Sequence, residues 1–70
     1  MAVEIAIMVN GSPMRVPAGA SVADLLERLR VSTPRVAVER NRQILPKAQY
    51  GTTALADGDS YEVVELVGGG

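Results

Sequence analysis

Every second residue from Val3 to Val9 is Val or Ile, and the residues between them are Glu, Ala and Met. This alternation has the period of two that is typical of a half-buried β-strand. Asn10-Gly11 follows, and both residues tolerate the positive φ angles that a two-residue hairpin turn requires. The pattern therefore predicts a hairpin whose returning strand contains Met14 to Val16.

A helix is predicted at about residues 21–30. Ser21 is a favoured N-cap residue, and Asp24 stands three residues later, close to the positive end of the helix. The apolar residues that follow have the i, i+3, i+4, i+7 spacing of one helix face: Val22, Leu25, Leu26 and Leu29. The charged residues on the opposite side are interpreted as a solvated face.

The second half of the chain predicts short strands. Val36 and Val38 alternate with other residues in the segment RVAVER, and Asn41 to Gln43 forms a turn into a piece that Pro46 terminates, as expected of an edge strand. Residues 47–56 follow no regular pattern, so we expect an extended connection with one helical turn near Ala48 to Tyr50.

Asp57-Gly58-Asp59 predicts a tight turn, and Tyr61 to Val67 predicts the final strand. One helix that covers one face of a small mixed sheet buries both apolar surfaces, so the predicted fold class is α+β with four to five strands. The expected organisation is one domain over residues 1–67 and a flexible glycine tail over residues 68–70.

The phase of the final strand determines which side chains face outward. We expect Tyr61 and Val63 to face the core, which leaves Val64 and Leu66 outward. Together with outward Met8 from the first strand, if the two strands are neighbours, they would form an apolar patch for docking a partner. The alternative is that these side chains only cover the sheet, because single exposed apolar residues are ordinary. The acidic residues Glu62 and Glu65 beside the tail fit steering toward a basic partner groove, and they fit ordinary solvent-facing strand charges at least as well.

Composition excludes several classes of function. The chain has 70 residues, no Cys and no His, so thiol chemistry and the commonest general base are absent. Its net charge is -1 and its only aromatic residues are two tyrosines, which argues against binding nucleic acid. No stretch approaches the ~20 apolar residues of a membrane span. We expect a soluble cytoplasmic protein without catalytic residues of its own.

Two polar segments are interpreted as turns. Asp57 and Asp59 could be taken for a metal site, but Asp-Gly-Asp between strands is explained by turn chemistry, and two ligands are too few for a cation. Arg40, Asn41 and Arg42 are likewise interpreted as an exposed turn. We expect no metal site.

The chain ends in Gly68-Gly69-Gly70. Extended, three glycines reach ~10 Å, and their lack of side chains permits passage through a narrow channel. The α-carboxylate at the tip is ionised at neutral pH and can attack the α-phosphorus of ATP. Glycines at a terminus fit a frayed end or a cloning remnant as well, so this pattern by itself leaves the function open.

The whole chain resembles the sulfur-carrier proteins of thiamin thiazole biosynthesis, the ThiS family, which are ubiquitin-like β-grasp proteins. The resemblance covers nearly all residues. It rests on the opening strand with Asn10-Gly11, the helix SVADLLERL, the segment VAVERNRQILPKAQY, the turn Asp57-Gly58-Asp59 and the ending EVVELVGGG.

The resemblance implies a function. An E1-like adenylyltransferase (ThiF type) would adenylate the carboxylate of Gly70 with ATP and Mg²⁺, which that enzyme and not this chain would bind. Sulfur derived from cysteine through a desulfurase would then give a thiocarboxylate, which would donate sulfur to thiazole synthase (ThiG type). Gly69 is the second residue of the required pair, and Gly68 is additional to it.

Other functions stay open at the level of sequence. The small subunit of molybdopterin synthase shares this fold, ending and adenylation chemistry, although it is usually longer and richer in aromatic residues. Carriers of other sulfur pathways and ubiquitin-like modifiers would use the same carboxylate. A passive interaction domain with incidental glycines is a further class, in which deletion of Gly69 and Gly70 would leave partner binding intact.

Overall fold

The computed structural model describes residues 3–31 and 33–66. They form five strands and one α-helix in the order that the sequence predicts. The elements are β1 (Glu4–Val9), β2 (Ser12–Pro17), α1 (Val22–Leu29), β3 (Val36–Arg40), β4 (Gln43–Leu45) and β5 (Ser60–Glu65). Two short 3-10 turns, Thr33–Arg35 and Lys47–Gln49, lie in the connections, the second close to the helical turn expected near Ala48 to Tyr50.

The strands form one mixed sheet in the order β2-β1-β5-β3-β4. β1 and β5 pair in parallel at its centre, and the other neighbours are antiparallel. The α+β class and the sheet of five strands with one helix are therefore confirmed as the β-grasp arrangement. The last strand of the chain lies in the middle of the sheet, with one neighbour on each side.

Both hairpins have two-residue turns with positive φ. Asn10 and Gly11 have φ angles of 51° and 83°, and Asn41 and Arg42 have 49° and 70°. This is the backbone that a tight turn needs to match the twist of its strands. The first turn was predicted from Asn10-Gly11; the second places Arg42 in a conformation that side chains other than Asn, Asp and Gly adopt less readily.

The helix begins as predicted and ends at Leu29, one residue before the predicted end. Ser21 Oγ accepts from the Asp24 backbone N–H, and Asp24 Oδ2 accepts from the Ser21 N–H, so Asp24 completes a capping box. The hydrogen bond from the Ser21 backbone N–H to the Asp24 carboxylate is the largest cause of a lowered Asp24 pKa, and the Ser21 side chain lowers it further. The helix stops at Leu29 because Arg30 turns left-handed, with φ 60°.

The core lies between α1 and one face of the sheet. Its fully buried side chains come from the helix stripe and from the alternating positions of the strands: Ile7, Val16, Val22, Leu25, Leu26, Val36, Val38 and Tyr61. The irregular connection adds Tyr50 and Leu55, whose burial no sequence pattern indicated. Leu29 is only partly buried at the end of the stripe.

The first strand is shorter than its alternation predicts. Val3 was expected on the inward face, but it precedes β1 and is 70% exposed. The prediction for Val3 is therefore wrong. Ala18 N–H donates to Val3 O, which places Val3 beside the end of β2, at the margin of the sheet. At the other terminus β5 is described up to Glu65, and Val67 lies outside the described residues.

Candidate functional site

The candidate site is the end of β5, because this strand carries the chain toward the glycines. Leu66 N–H donates to Arg35 O at 2.6 Å, so the chain is still held against β3 one residue after the strand ends. Gly68, Gly69 and Gly70 lie outside the described residues, and the modification of Gly70 stays a prediction. The structure thus defines the position of the chain up to Leu66.

The side-chain amide of Asn10 continues the pairing of β1 with β5. Asn10 Nδ2 donates to Val63 O at 3.1 Å, and Val63 N–H donates to Asn10 Oδ1 at 2.8 Å. The amide therefore bonds as the peptide group of one more strand residue would. The turn that ends β1 consequently also fixes β5 three residues before Leu66.

Asn41 has a comparable role on the other side of β5. Its backbone N–H donates to Ser60 O at 2.8 Å, and Ser60 N–H donates to Asn41 Oδ1 at 2.9 Å. Two hairpin-turn asparagines thus bind the backbone of the central strand from opposite sides. Sequence reasoning identified both as turn residues and missed this second role.

Asp59 is the centre of a buried hydrogen-bond network at the start of β5. It is 7% exposed. Its carboxylate accepts hydrogen bonds from Tyr61 OH (2.8 Å), Ala56 N–H (3.0 Å), Arg40 Nε (3.2 Å) and Asn41 Nδ2 (3.2 Å). Asp57, in contrast, is exposed and accepts one bond from Ala6 N–H. Asn41 and Arg42 form the exposed turn that the sequence predicted, whereas Arg40 is the last residue of β3, and the bonds from Arg40 and Asn41 to Asp59 were not predicted.

Ionisation of these groups follows from that network. Burial opposes the charge on Asp59, but the hydrogen bonds from Asn41, Tyr61, Ala56 and Arg40 outweigh it and lower its pKa. Burial, together with the bond to Asp59, raises the pKa of Tyr61 to about 12. The network therefore holds an anion beside a neutral phenol at neutral pH, and it joins three segments of chain rather than forming an open site.

The outward face of the sheet carries an apolar strip near the end of β5. Val64 lies opposite Ala37 on β3, and Ile44 lies opposite Glu39 with its side chain on the same face. Ile44 is 80% exposed, and Val64 and Leu66 are each about half exposed. We call Ala37, Ile44, Val64 and Leu66 the apolar strip. Ile44 was not singled out from the sequence, because a three-residue edge strand gives no alternation from which to read its face.

Not all of the predicted docking residues lie together. Met8 faces outward as expected, but it pairs with Ser60, and Val64 is four residues further along β5, roughly 13 Å away. Glu62 is exposed between them, directly opposite Glu39. Glu65 is exposed at the end of β5 opposite Val36, so its side chain starts from the helix-side face. Val64 and Leu66 thus lie next to each other at the end of β5, Ile44 lies on the same face with β3 between it and β5, and Met8 lies on that face toward the other end of β5.

A shallow apolar groove lies between β2 and α1. Its lining includes Val16, Pro17, Leu25 and Leu55, and Arg28 lies at its rim. The Arg28 guanidinium donates to Arg15 O at 3.3 Å, so it braces the strand beside it. No residue of β5 lines this groove.

Within the described residues there is neither a metal-binding cluster nor a membrane-spanning helix. No group of three or more acidic side chains is arranged there to hold a metal ion. None of the helices described in residues 3–31 and 33–66 has the length and apolar character needed to cross a membrane.

Comparison with known proteins places these features in context. The family model that matches is that of the ThiS family, over residues 5–70. A thiazole synthase from Paramagnetospirillum magneticum is 42% identical over 64 residues, which are 91% of this chain and 20% of that protein. The chain therefore spans about one fifth of the length of that relative.

Two proteins of similar size also match. The sulfur carrier protein ThiS of Escherichia coli is 33% identical over 64 residues, which are 91% of this chain and 97% of that one. The crystal structure of the thiamine biosynthesis protein ThiS from Geobacter metallireducens superposes with a TM-score of 0.80 at 33% identity, covering 94% of this chain and all of that one. Sequence and fold thus agree over nearly the same residues.

Proposed function

Because the chain belongs to the ThiS family, we propose that it is a sulfur carrier for thiamin thiazole biosynthesis. The observation that carries the proposal is the match to that family through residue 70, the last of the three glycines. The fold supports it, because the central strand β5 directly precedes this end of the sequence and its last described neighbour, Leu66, is held by Arg35.

The reacting group in this proposal is the α-carboxylate of Gly70. One carboxylate oxygen attacks the α-phosphorus of ATP, and pyrophosphate leaves. The terminal sulfur of a persulfide, formed from cysteine by a desulfurase, then attacks the acyl carbon and AMP leaves; a thiol reduces the resulting acyl disulfide and is itself converted to a disulfide. The product is a thiocarboxylate, whose sulfur passes to the thiazole-forming enzyme.

The chain acts as the substrate of these enzymes and supplies no catalytic side chain. It contains neither His nor Cys, and its one buried carboxylate, Asp59, is occupied by four donors. ATP and Mg²⁺ are bound by the adenylyltransferase. Gly69 and Gly68 form the narrow stalk that lets the carboxylate enter that active site.

Thiazole synthase is proposed as the acceptor of the sulfur. Support comes from the relative in Paramagnetospirillum magneticum, in which a segment similar to this chain is part of a protein named thiazole synthase. Covalent joining of a carrier segment to a synthase keeps the two at high effective concentration.

The apolar strip is the proposed docking surface. Val64 and Leu66 lie directly before the tail, and Ile44 extends the surface toward the sheet edge. Glu62 and Glu39 lie side by side on the same face, and Glu65 stands at the end of β5. A partner surface with an apolar centre and basic residues around it complements this arrangement.

Intact-mass measurement tests the proposal. The purified chain is incubated with the adenylyltransferase of the same organism, ATP, Mg²⁺, a cysteine desulfurase and cysteine. We expect the mass to rise by the difference between one sulfur and one oxygen, and tandem mass spectrometry to place the change at Gly70. The variant that lacks Gly69 and Gly70 serves as control, because it no longer ends in two glycines, and it should stay unmodified. Absence of both the adenylate and the thiocarboxylate from the intact chain would refute the proposal.

A further inference from the structure

The two sides of β5 are occupied differently near its end. On the β3 side, backbone hydrogen bonds link Asn41 N–H to Ser60 O and Leu66 N–H to Arg35 O. In an antiparallel pair the hydrogen-bonded positions alternate, so with this register every even-numbered residue of β5 bonds to β3. That side is therefore paired up to Leu66.

The odd-numbered residues of β5 direct their backbone groups to the β1 side. Tyr61 O accepts from Asn10 N–H at 2.9 Å, and the N–H and C=O of Val63 both bond to the Asn10 side chain. Glu65 is the next residue in this series. Its backbone N–H and C=O point to the same side, but β1 has ended at Val9 and turned into β2.

Glu65 is consequently an open pairing position on a central strand. Among the described residues none forms a backbone hydrogen bond with Glu65 on this side. The Asn10 amide satisfies Val63, so the first free N–H and C=O are those immediately before the tail. A strand added here would extend the line of β1 beyond its hairpin turn.

The outer edges of the sheet are less suited to such pairing. In β2 the residues whose backbone groups point away from β1 are Pro13, Arg15 and Pro17. The two prolines have no N–H, and the Arg15 C=O already accepts a hydrogen bond from Arg28. β4 has three residues and is followed by Pro46. The open position at Glu65 differs from these edges because it directly precedes, along the sequence, the terminal glycines on which the proposed chemistry occurs.

We propose that the adenylyltransferase binds this chain by pairing an extended segment of its own backbone with β5 at Glu65, on the side where β1 has ended. The inference rests on the proposed function, because it assigns the partner from that chemistry. Three consecutive glycines offer an enzyme no side chain, so backbone groups are the handles by which the tail can be held. Strand addition satisfies those groups in a groove that excludes water.

The partner segment has a predictable character. Glu65 and Glu62 are exposed at this end of β5, so a segment that carries Lys or Arg beside its pairing residue would be attracted. In the part of the partner segment that follows its pairing with Glu65, small residues are needed so that its backbone can approach the glycines closely.

A pair of substitutions at one position tests the pairing. Glu65→Pro removes the free N–H without removing any hydrogen bond within the chain, whereas Glu65→Ala removes only the carboxylate. The measurement is the KM for the chain in adenylation, followed by pyrophosphate release. Relative to Glu65→Ala, we expect the proline variant to raise KM about three- to tenfold, the range for loss of one backbone hydrogen bond. Equal KM values for the two variants, with thermal unfolding showing both folded, would overturn the inference.

Amide hydrogen exchange of the unsubstituted chain gives a second, independent measurement. On addition of the adenylyltransferase with a non-hydrolysable ATP analogue, exchange of the Glu65 N–H should slow at least tenfold, while that of Arg15 N–H, at the β2 edge, should not change. Unchanged exchange at Glu65 in the complex would overturn the inference. Failure of the proposed function gives a different result, since the unsubstituted chain would then show no adenylate at all.

Discussion

The Asn10 side chain and the Val63 backbone exchange two hydrogen bonds, of 3.1 and 2.8 Å, across the centre of the sheet. Asn10 also has φ 51°, so one residue both turns the β1–β2 hairpin and holds β5. The residue that predicts the hairpin is therefore also a residue that fixes the strand leading to the tail.

Asn10→Gly separates these two roles. Glycine accepts the positive φ of the turn but removes both side-chain bonds, and it leaves the N–H and C=O of Val63 without partners. We expect the free energy of unfolding to fall by about 1 to 3 kcal/mol, as measured by urea denaturation. Hydrogen exchange at Val63 should accelerate more than at Val38, which lies on β3. An unchanged denaturation midpoint would show that the amide adds nothing to stability.

Asp59 should contribute more to stability than its neighbour in the same turn. Asp59→Ala leaves Tyr61 OH, Asn41 Nδ2 and Ala56 N–H without their acceptor in a buried setting. We expect a loss of about 3 kcal/mol or more. Asp57→Ala is the matched control, because Asp57 is exposed and accepts a single bond, and should cost roughly 1 kcal/mol. Similar losses in urea denaturation for both variants would contradict the assigned role.

Alkaline pH should destabilise the fold through Tyr61. Its pKa rises from 10.0 to about 12 on folding, so the unfolded chain releases this proton first as pH increases. Stability should be constant up to about pH 10 and then decline toward pH 12, by about 2 to 3 kcal/mol for a shift of this size.

The matching variant is Tyr61→Phe, compared with unsubstituted chain by urea denaturation at pH 8 and pH 11. It should be less stable at pH 8, because the bond to Asp59 is lost, and should lose less stability between the two pH values. Burial also raises the pKa of Tyr50, so Tyr50 makes its own contribution to the loss of stability at high pH. Tyr50→Phe therefore serves as the reference variant. An identical pH dependence with and without Tyr61 would refute the assignment.

If the apolar strip is the docking surface, a lysine introduced into it should weaken docking. Val64→Lys and Ile44→Lys place a charge on the strip without entering the core, since both side chains are at least half exposed. Each should weaken binding to the adenylyltransferase about tenfold or more in calorimetric titration, the range for interface positions that matter. Met8→Lys, in the separate position beside Ser60, should have a smaller effect. Equal effects at all three positions would place Met8 in the same surface.

Local patterns predicted most of the elements. Val36 and Val38 alternate, Asn10-Gly11 forms a two-residue turn, and Ser21 with Asp24 caps the helix, because each of these depends on neighbours within a few residues. The inward phase of Tyr61 and Val63 was also correct. The prediction that Val3 faces the core was wrong. Alternation shows which residues lie on the same face of a strand, but it does not show how far the neighbouring strand extends.

The sequence pattern by itself determined the α+β class, the order of the elements and the three glycines on which the proposed function depends, and the family resemblance added the β-grasp arrangement. Only the tertiary structure decided that β1 lies parallel to β5, that Asp59 collects four donors, and that Ile44 is exposed on the same face of the sheet as Val64. The physical reason is separation along the chain: Asn10 and Val63 are 53 residues apart. Periodicity and turn chemistry carry no information about such contacts, which arise when the sheet closes around its last strand.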